Sequence, residues 1–368
     1  MPQIIYTIQP GDTLNGIAKL YGSNINAIVD INNITNPNLI YPGAVILIPV
    51  EEEDIESPPG SIIYTVQPGD TLYLISLLFG VSVDSISTLN NITNPSLIYP
   101  GFKIVLPKDA KNPFQPIEPG IIRYTVLPGD TIYKVARRFG TTVQSIINAN
   151  PGLDPYRLMP GMELTITIPE NAVAIYRGNP NKKMVSLTFD ATYGDNQTHK
   201  LLKILRDNNI KATFFLSGIW LLNYPHLVRA IAAEDHEIGN HSFTHPHLPQ
   251  ITLAEVNNQI MRTEALIQNI SGQSPYLFRP PYGEYNQAIL NTLASLGYVT
   301  IMWTVDSLDW KEPGVEAITS RIVSNVEPGA IILMHQSSAQ TAEALPEIIA
   351  KLKEKGYSFG TVTQVIDP

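Results

Sequence analysis

Cysteine is absent from the sequence, so disulfides are excluded and the redox compartment stays open. Cations are scarce: 24 Lys and Arg stand against 33 Asp and Glu, a formal net charge of −9. That balance argues against nucleic acid or an anionic membrane as partner, since both need a basic face. It says little about a neutral sugar polymer. No apolar run approaches the ~20 residues of a membrane span. The opening Met1-Pro2-Gln3-Ile4-Ile5-Tyr6 lacks a basic region followed by an apolar core, so no secretory signal is visible. The expectation is either a signal removed beforehand or another route to the site of action. What is present, 368 residues with 44% hydrophobic and 15% charged side chains, describes a folded chain of two or more domains.

One unit occurs three times in residues 1–169. Tyr6-Thr-Ile-Gln-Pro-Gly-Asp-Thr-Leu14 recurs as Tyr64 to Leu72 and again as Tyr124 to Ile132. Asn32 to Gly43 matches Asn90 to Gly101, and more loosely Asn148 to Gly161. Each copy parses as strand, Pro-Gly turn, a helix entered at Asp-Thr and closed by Gly22, Gly80 or Gly140, a second short helix, and a closing strand. The order β-α-α-β is expected at 1–50, 63–108 and 123–170. The stretches 51–62 and 109–122, rich in Pro and charge, read as semi-rigid linkers.

This unit resembles the LysM domain across nearly the whole of all three copies. The resemblance implies binding of N-acetylglucosamine-containing polymers, peptidoglycan or chitin, in a groove between two loops. Carried over, the groove residues are Asp12, Thr13, Leu14, Leu39 and Ile40 in the first copy. In the second they are Asp70, Thr71, Leu72, Leu97 and Ile98. In the third they are Asp130, Thr131, Ile132, Arg157 and Leu158, with Arg157 replacing a Leu. The Asp-Thr pairs also read as helix caps, and both roles are expected together. Three weak sites on one chain gain by avidity where the polymer reaches them at once.

From 171 to 368 the period changes. Apolar runs predict strands near 185–190, 211–217, 236–241, 276–280, 298–306, 330–335 and 357–361. Helices are expected near 197–207, 222–233, 252–270, 286–296, 314–325 and 342–355. About seven strands alternating with helices predict a distorted (β/α) barrel, with an open doubly wound sheet as the alternative.

Several strands end in residues able to do chemistry: Asp190, His241, Arg279, Asp306 with Asp309, and His335. Asp190 closes the apolar run Val185-Ser-Leu-Thr-Phe-Asp190, where a carboxylate serves structure poorly. His241-Ser-Phe-Thr-His245 places two imidazoles on the turn leaving a strand, which suits a metal better than a core; His247 reads as a surface bystander. Arg279-Pro-Pro-Tyr282 sets a cation beside a rigid backbone.

Thr188-Phe-Asp-Ala191, His241 to Pro246, Arg279 to Tyr282, Asp306 to Trp310 and Leu333-Met-His335 resemble the motifs of the polysaccharide deacetylases, the NodB-like group of carbohydrate esterase family 4, over about residues 183–366. The resemblance implies removal of acetyl from an N-acetylated amino sugar. The roles it implies are a divalent metal, zinc with cobalt or manganese as alternatives, on His241 and His245; Asp190 as general base; the Tyr282 N–H at the oxyanion; and His335 as acid. Asp309 would orient His335, Arg279 would hold Asp190 ionised, and Trp310 and Leu333 would wall the acetyl pocket. The family's second Asp, its third metal ligand, is here Ala191, so Asp195 or Asn196 is the candidate replacement oxygen. Two competing readings are a wall-binding scaffold with a degenerate barrel, and a glycosidase using Asp190 and Asp309. A cell-wall or extracellular location is expected, with the spore envelope as the alternative; neither the amino sugar attacked nor the oligomeric state is legible.

Overall fold

The computed structural model describes residues 3–8, 12–41, 43–49, 61–67, 69–92, 94, 98–110, 120–127, 130–139, 141–155, 157–167, 171–194 and 197–367. Leu97, Asp195, Asn196 and the bulk of both linkers, 51–60 and 111–119, lie outside them. The chain falls into two compact units, Met1–Pro113 and Phe114–Pro368.

The first unit holds two modules. In the first, β1 (Gln3–Thr7) pairs antiparallel with β2 (Val45–Pro49) around α1 (Leu14–Leu20) and α2 (Ile25–Ile31). In the second, β3 (Ile63–Thr65) pairs with β4 (Lys103–Val105) around α3 (Leu72–Phe79) and α4 (Val83–Leu89). The second unit opens with the third module: β5 (Ile121–Thr125), α5 (Ile132–Arg138), α6 (Val143–Ala149) and β6 (Glu163–Thr167). Strand β5 thus begins inside the stretch read as a linker. One side-chain device recurs in all three modules. Asn32, Asn90 and Asn150 each donate to a helix carbonyl and to the closing strand, and each accepts that strand's N–H at 2.7 Å. The clamp ties the second helix to the sheet in cores too small to do so by burial alone.

The remainder is a distorted parallel barrel whose sheet stays open between its two edge strands. Its strands are β7 (Met184–Ala191), β8 (Thr213–Leu216), β9 (Glu237–Asn240), β10 (Leu277–Phe278), β11 (Val299–Thr300), β12 (Val305–Asp306), β13 (Ile331–His335) and β14 (Ser358–Phe359). The order is β11-β10-β9-β8-β7-β13-β12, with β14 also on β7. The central β7 is buried on both faces from Val185 onward, as a parallel strand covered by helices must be. The outer layer is α7 (Thr198–Asp207), α8 (Gly218–Asn223), α9 (Pro225–Ala233), α10 (Leu253–Ser271), α11 (Gln287–Ser295), α12 (Val315–Asn325) and α13 (Ala339–Glu354). The short α14 (Val362–Ile366) adds Val362 and Ile366 to a core cluster with Phe215, Leu277 and Ile331.

Two expectations are corrected. The run 298–306 is not one strand; it forms β11 and β12 on opposite edges of the sheet. Its hydrogen-bond partners change along the way: Ile301 N–H donates to Phe278, Met302 to Ile175 and Thr304 to Ile331. The helix expected at 222–233 is two helices, because Pro225 starts a new one at its first turn and cannot continue the old. Among the described residues no single helix is long and apolar enough to cross a membrane.

Candidate active site

The parallel sheet brings five chemistry-bearing strand ends to one rim. Asp190 is 6% exposed, and Arg279, fully buried after β10, donates from Nη1 to its Oδ1 at 2.7 Å. The same nitrogen donates to Thr188 Oγ1 at 2.8 Å, and Nη2 donates to the Met302 carbonyl at 3.3 Å. The guanidinium lies 4.1 Å over the Phe215 ring. Burial alone would raise the Asp190 carboxyl, but Arg279, His241 and His335 together outweigh it and hold it below the usual range.

His241 leaves β9 with Nδ1 2.8 Å from the Arg279 carbonyl. That acceptor places the proton on Nδ1 and leaves the Nε2 lone pair free. His241 Nε2 stands 3.2 Å from His245 Nε2 and 3.6 Å from Asp190 Oδ2. Burial lowers both imidazoles, His245 to about 3, so both are neutral donors near pH 7. The turn between them is strained and held: Ser242 and His245 have φ of 64° and 59°. Gln259 Oε1, from α10, accepts from the Phe243 and Thr244 N–H groups at 2.9 and 2.8 Å. Asn240 Oδ1 accepts from Ser242 N–H at 3.0 Å. Gly218 is obligatory here, since a Cβ would stand 2.1 Å from the Phe243 ring. Gln259, Asn240 and Gly218 were not singled out from the sequence; the polar run Asn257-Asn258-Gln259 inside a helix was the available signal.

His335 is the register partner of Asp190 across β13 and β7. Asp309 holds it twice: Oδ1 lies 2.7 Å from Nδ1, and Oδ2 accepts the His335 N–H at 2.8 Å. Thr341 Oγ1 also donates to Oδ2 at 2.6 Å. Burial would lower the imidazole, but Asp309 and then Asp190 hold it above its usual value. Asp306 is occupied structurally, accepting from Leu308 N–H at 2.8 Å. Trp310 is exposed beside Asp309, whereas Leu333 is buried on the same strand face as His335. Tyr282 has φ 57°; its exposed ring meets His245 edge-on at 4.6 Å and stacks on His247 at 4.1 Å. His247 is therefore part of the rim, and its Nδ1 lies 2.8 Å from Glu284.

Two neutral nitrogens aimed at each other 3.2 Å apart, with the His245 Nδ1 lacking a hydrogen-bond partner among the described residues, fit a divalent cation of the zinc type. Among the described residues the set stops at two protein ligands; Asp195 and Asn196 lie outside them. Ala191 is fully buried where a third would sit, and among the described residues no three His, Asp or Glu form a metal-sized group.

In the modules, Thr13, Thr71 and Thr131 accept the helix N–H groups of Gly16, Leu74 and Lys134. Asp12, Asp70 and Asp130 instead accept the hydroxyls of Tyr6, Tyr64 and Tyr124 at 2.6, 2.7 and 2.5 Å. Leu14, Leu72 and Ile132 need correction: at 1%, 1% and 7% exposure their side chains lie in the module cores, because the first helical position points inward. Leu39 and Arg157 are exposed, while Ile40, Ile98 and Leu158 are half-buried.

One rim of the barrel thus carries an ionised carboxylate, an imidazole pair and a carboxylate-held imidazole, a set able to move protons on either side of a reacting bond. The family description Polysaccharide deacetylase matches residues 177–301, and LysM domain matches 6–49, 64–107 and 124–167. The chain belongs to the polysaccharide deacetylase family, carbohydrate esterase family 4, and carries three LysM domains. It is 38% identical over 211 residues to the uncharacterized protein YlxY of Bacillus subtilis, covering 57% of this chain and 65% of that one. It is 38% identical over 191 residues to a peptidoglycan-N-acetylglucosamine deacetylase of Bacillus cereus, covering 51% and 70%. The crystal structure of BA3943, a CE4 family pseudoenzyme from Bacillus anthracis, superposes with a TM-score of 0.52 at 34% identity, covering 61% of this chain and 82% of that one. A BA3943 mutant described as having restored enzymatic activity superposes equally, at 0.52.

Proposed function

We propose that the chain is a metal-dependent N-deacetylase of peptidoglycan amino sugars, N-acetylglucosamine or N-acetylmuramic acid, with chitin-type oligomers as a further substrate. The observation that carries the reading is the pairing of Asp190, kept anionic by Arg279, with His335, kept cationic by Asp309, in register on adjacent strands. A divalent cation on His241 and His245 would supply Lewis-acid polarisation of the acetyl carbonyl. Asp190 takes a proton from the attacking water as the oxygen–carbon bond forms. The Tyr282 N–H donates to the developing oxyanion. His335 gives its proton to the nitrogen as the C–N bond breaks, so acetate and a free amine leave. Trp310 and Leu333 wall the acetyl group, and the LysM domains hold the chain on the glycan, at the cell wall, outside the cell or in the spore envelope.

A second reading is favoured by Ala191: a wall-binding protein whose barrel lacks turnover because two imidazoles hold the cation too weakly. The likeness to a pseudoenzyme supports it. Acetate release from N-acetylglucosamine oligomers and from peptidoglycan, with zinc, cobalt and manganese titrated in, separates the two. Release that is abolished by Asp190→Asn and His335→Ala supports the deacetylase; no release at any metal concentration supports the second reading.

A further inference from the structure

The third LysM domain departs from the other two at a place its groove does not explain. Its first helix ends Arg137-Arg138-Phe139, where the others read Lys19-Leu20-Tyr21 and Leu77-Leu78-Phe79. A cation thus stands where the sister copies have Leu20 and Leu78. Arg138 reaches out of its domain: Nε donates to the Gly297 carbonyl at 3.2 Å, and Nη1 donates to the Tyr124 hydroxyl, also at 3.2 Å. The guanidinium lies 5.3 Å from the centroid of Tyr124 and 5.9 Å from that of Phe139. Phe139 seats on bare backbone, since a Cβ at Gly297 would stand 3.0 Å from its ring.

Three further contacts fix the same face. Ile122, on β5, packs against Ala172, Leu290 and Ala294 of the barrel layer. Ala172, which follows β6 by only a few residues, is pinned to α11: its N–H donates to Asn291 Oδ1 at 3.1 Å, and its carbonyl accepts from Gln287 Nε2 at 2.9 Å. A tether that short and held at its far end leaves little room to swing. Behind the Gly297 turn, Glu264 of α10 is half-buried, with Tyr298 Oη donating to its Oε2 at 3.1 Å. Tyr298 also accepts from Asn240 Nδ2 at 3.2 Å, and Asn240 is the residue before His241. The Glu264 Oε1 accepts from Gln268 Nε2 at 3.0 Å, so the carboxylate is held by two neutral donors behind the turn. Burial raises the Glu264 carboxyl and Arg138 is the charge that opposes it.

We propose that the third LysM domain is a fixed wall of the catalytic unit, docked on α11 and the Gly297 turn, and that Arg138 specifies this docking through its hydrogen bond to the Gly297 carbonyl. The separation between the third sugar groove and Asp190 is then a constant of the protein, not of a tether. The inference stands apart from whether the barrel turns over.

A chain without cysteine allows labels to be placed in pairs. Asn148→Cys on α6 and Lys200→Cys on α7, both exposed, carry spin labels for dipolar distance measurement in the full chain. The expected result is one narrow distance distribution that becomes broad in Arg138→Leu, a residue the sister domains already fold with. A broad distribution before substitution overturns the docking, and a narrow one that survives Arg138→Leu overturns the role of Arg138. Thermal unfolding followed by tryptophan reads the docking from the barrel side, because Trp220, Trp303 and Trp310 all belong to the barrel. Arg138→Leu should lower that Tm by about 3 °C. An unchanged Tm refutes a role for Arg138 in holding the third domain against the barrel.

Discussion

Replacing Arg279 with Met tests whether Asp190 is held ionised by one buried cation. The guanidinium is fully buried and the carboxylate 6% exposed, and they meet at 2.7 Å. Met keeps most of the stem and its packing on Phe215, so the loss is chiefly electrostatic. Breaking a buried pair by removing one partner costs about 3–5 kcal/mol, because a charge is left uncompensated. Asp190→Asn alone removes the charge that needs compensation. The penalty of Arg279→Met in the Asp190→Asn background should therefore fall by about 2 kcal/mol or more. Urea unfolding followed by tryptophan fluorescence reads this from the barrel alone. The pH dependence must also reverse. In the wild type the folded carboxyl lies below the ordinary value of 3.8, so the unfolded chain binds the proton first, and stability rises with pH across that window. In Arg279→Met, burial, the largest influence, is opposed only by His335 and the neutral His241, and the folded carboxyl rises above that value. The folded chain then keeps a proton the unfolded chain has released, and stability falls as pH increases. The acid limb of deacetylation should move to higher pH in step. A penalty under about 1 kcal/mol, or one equal in both backgrounds, would refute the account.

Ala191→Asp should complete the cation site: outer-shell changes alone alter metal affinity by roughly 10–100-fold, so a direct ligand should do at least as much, read by zinc titration and acetate release. His335→Ala should lower kcat by about 10²–10⁴-fold on the amide substrate. Asp309→Asn should move the alkaline limb of activity downward, because the carboxylate holds His335 protonated above its usual value. His236, buried with Nδ1 accepting the Ala212 N–H at 3.1 Å, is lowered from 6.5 to about 4. The unfolded chain protonates it first, so its contribution is whole above about 6.5 and is lost as pH falls toward 4, up to about 3 kcal/mol. His236→Gln should remove that part of the pH slope in urea midpoints.

The repeats and the alternation of strands and helices were legible because each copy restates the same period and because parallel strands buried on both faces read as apolar runs. The rim residues stood out because a charged or imidazole side chain at the end of such a run has no structural use there. What the sequence hid was partnership. The run 298–306 is uniformly apolar, and only the change of partner from Phe278 to Ile175 to Ile331 divides it into two strands. Leu14, Leu72 and Ile132 sit in the signature next to exposed Thr residues, yet one step of helix rotation turns them into the core. His247 looked like a bystander until the left-handed Tyr282 brought its ring alongside.

The two halves of the site depend on the fold to different degrees. Asp190 and Asp309 each have their charge met inside the protein, by Arg279 and by His335, so the acid–base half is held whether or not a cation binds. The imidazole half is otherwise. His241 and His245 turn lone pairs toward each other, and the strained turn carrying them is held by Gln259 and Asn240 without any contribution from position 191. A small side chain at 191 therefore leaves the barrel and the acid–base pair intact while subtracting a ligand. On the proposed reading, turnover can then vary with no change of fold, and the cation affinity of the His241–His245 pair is the quantity on which it turns.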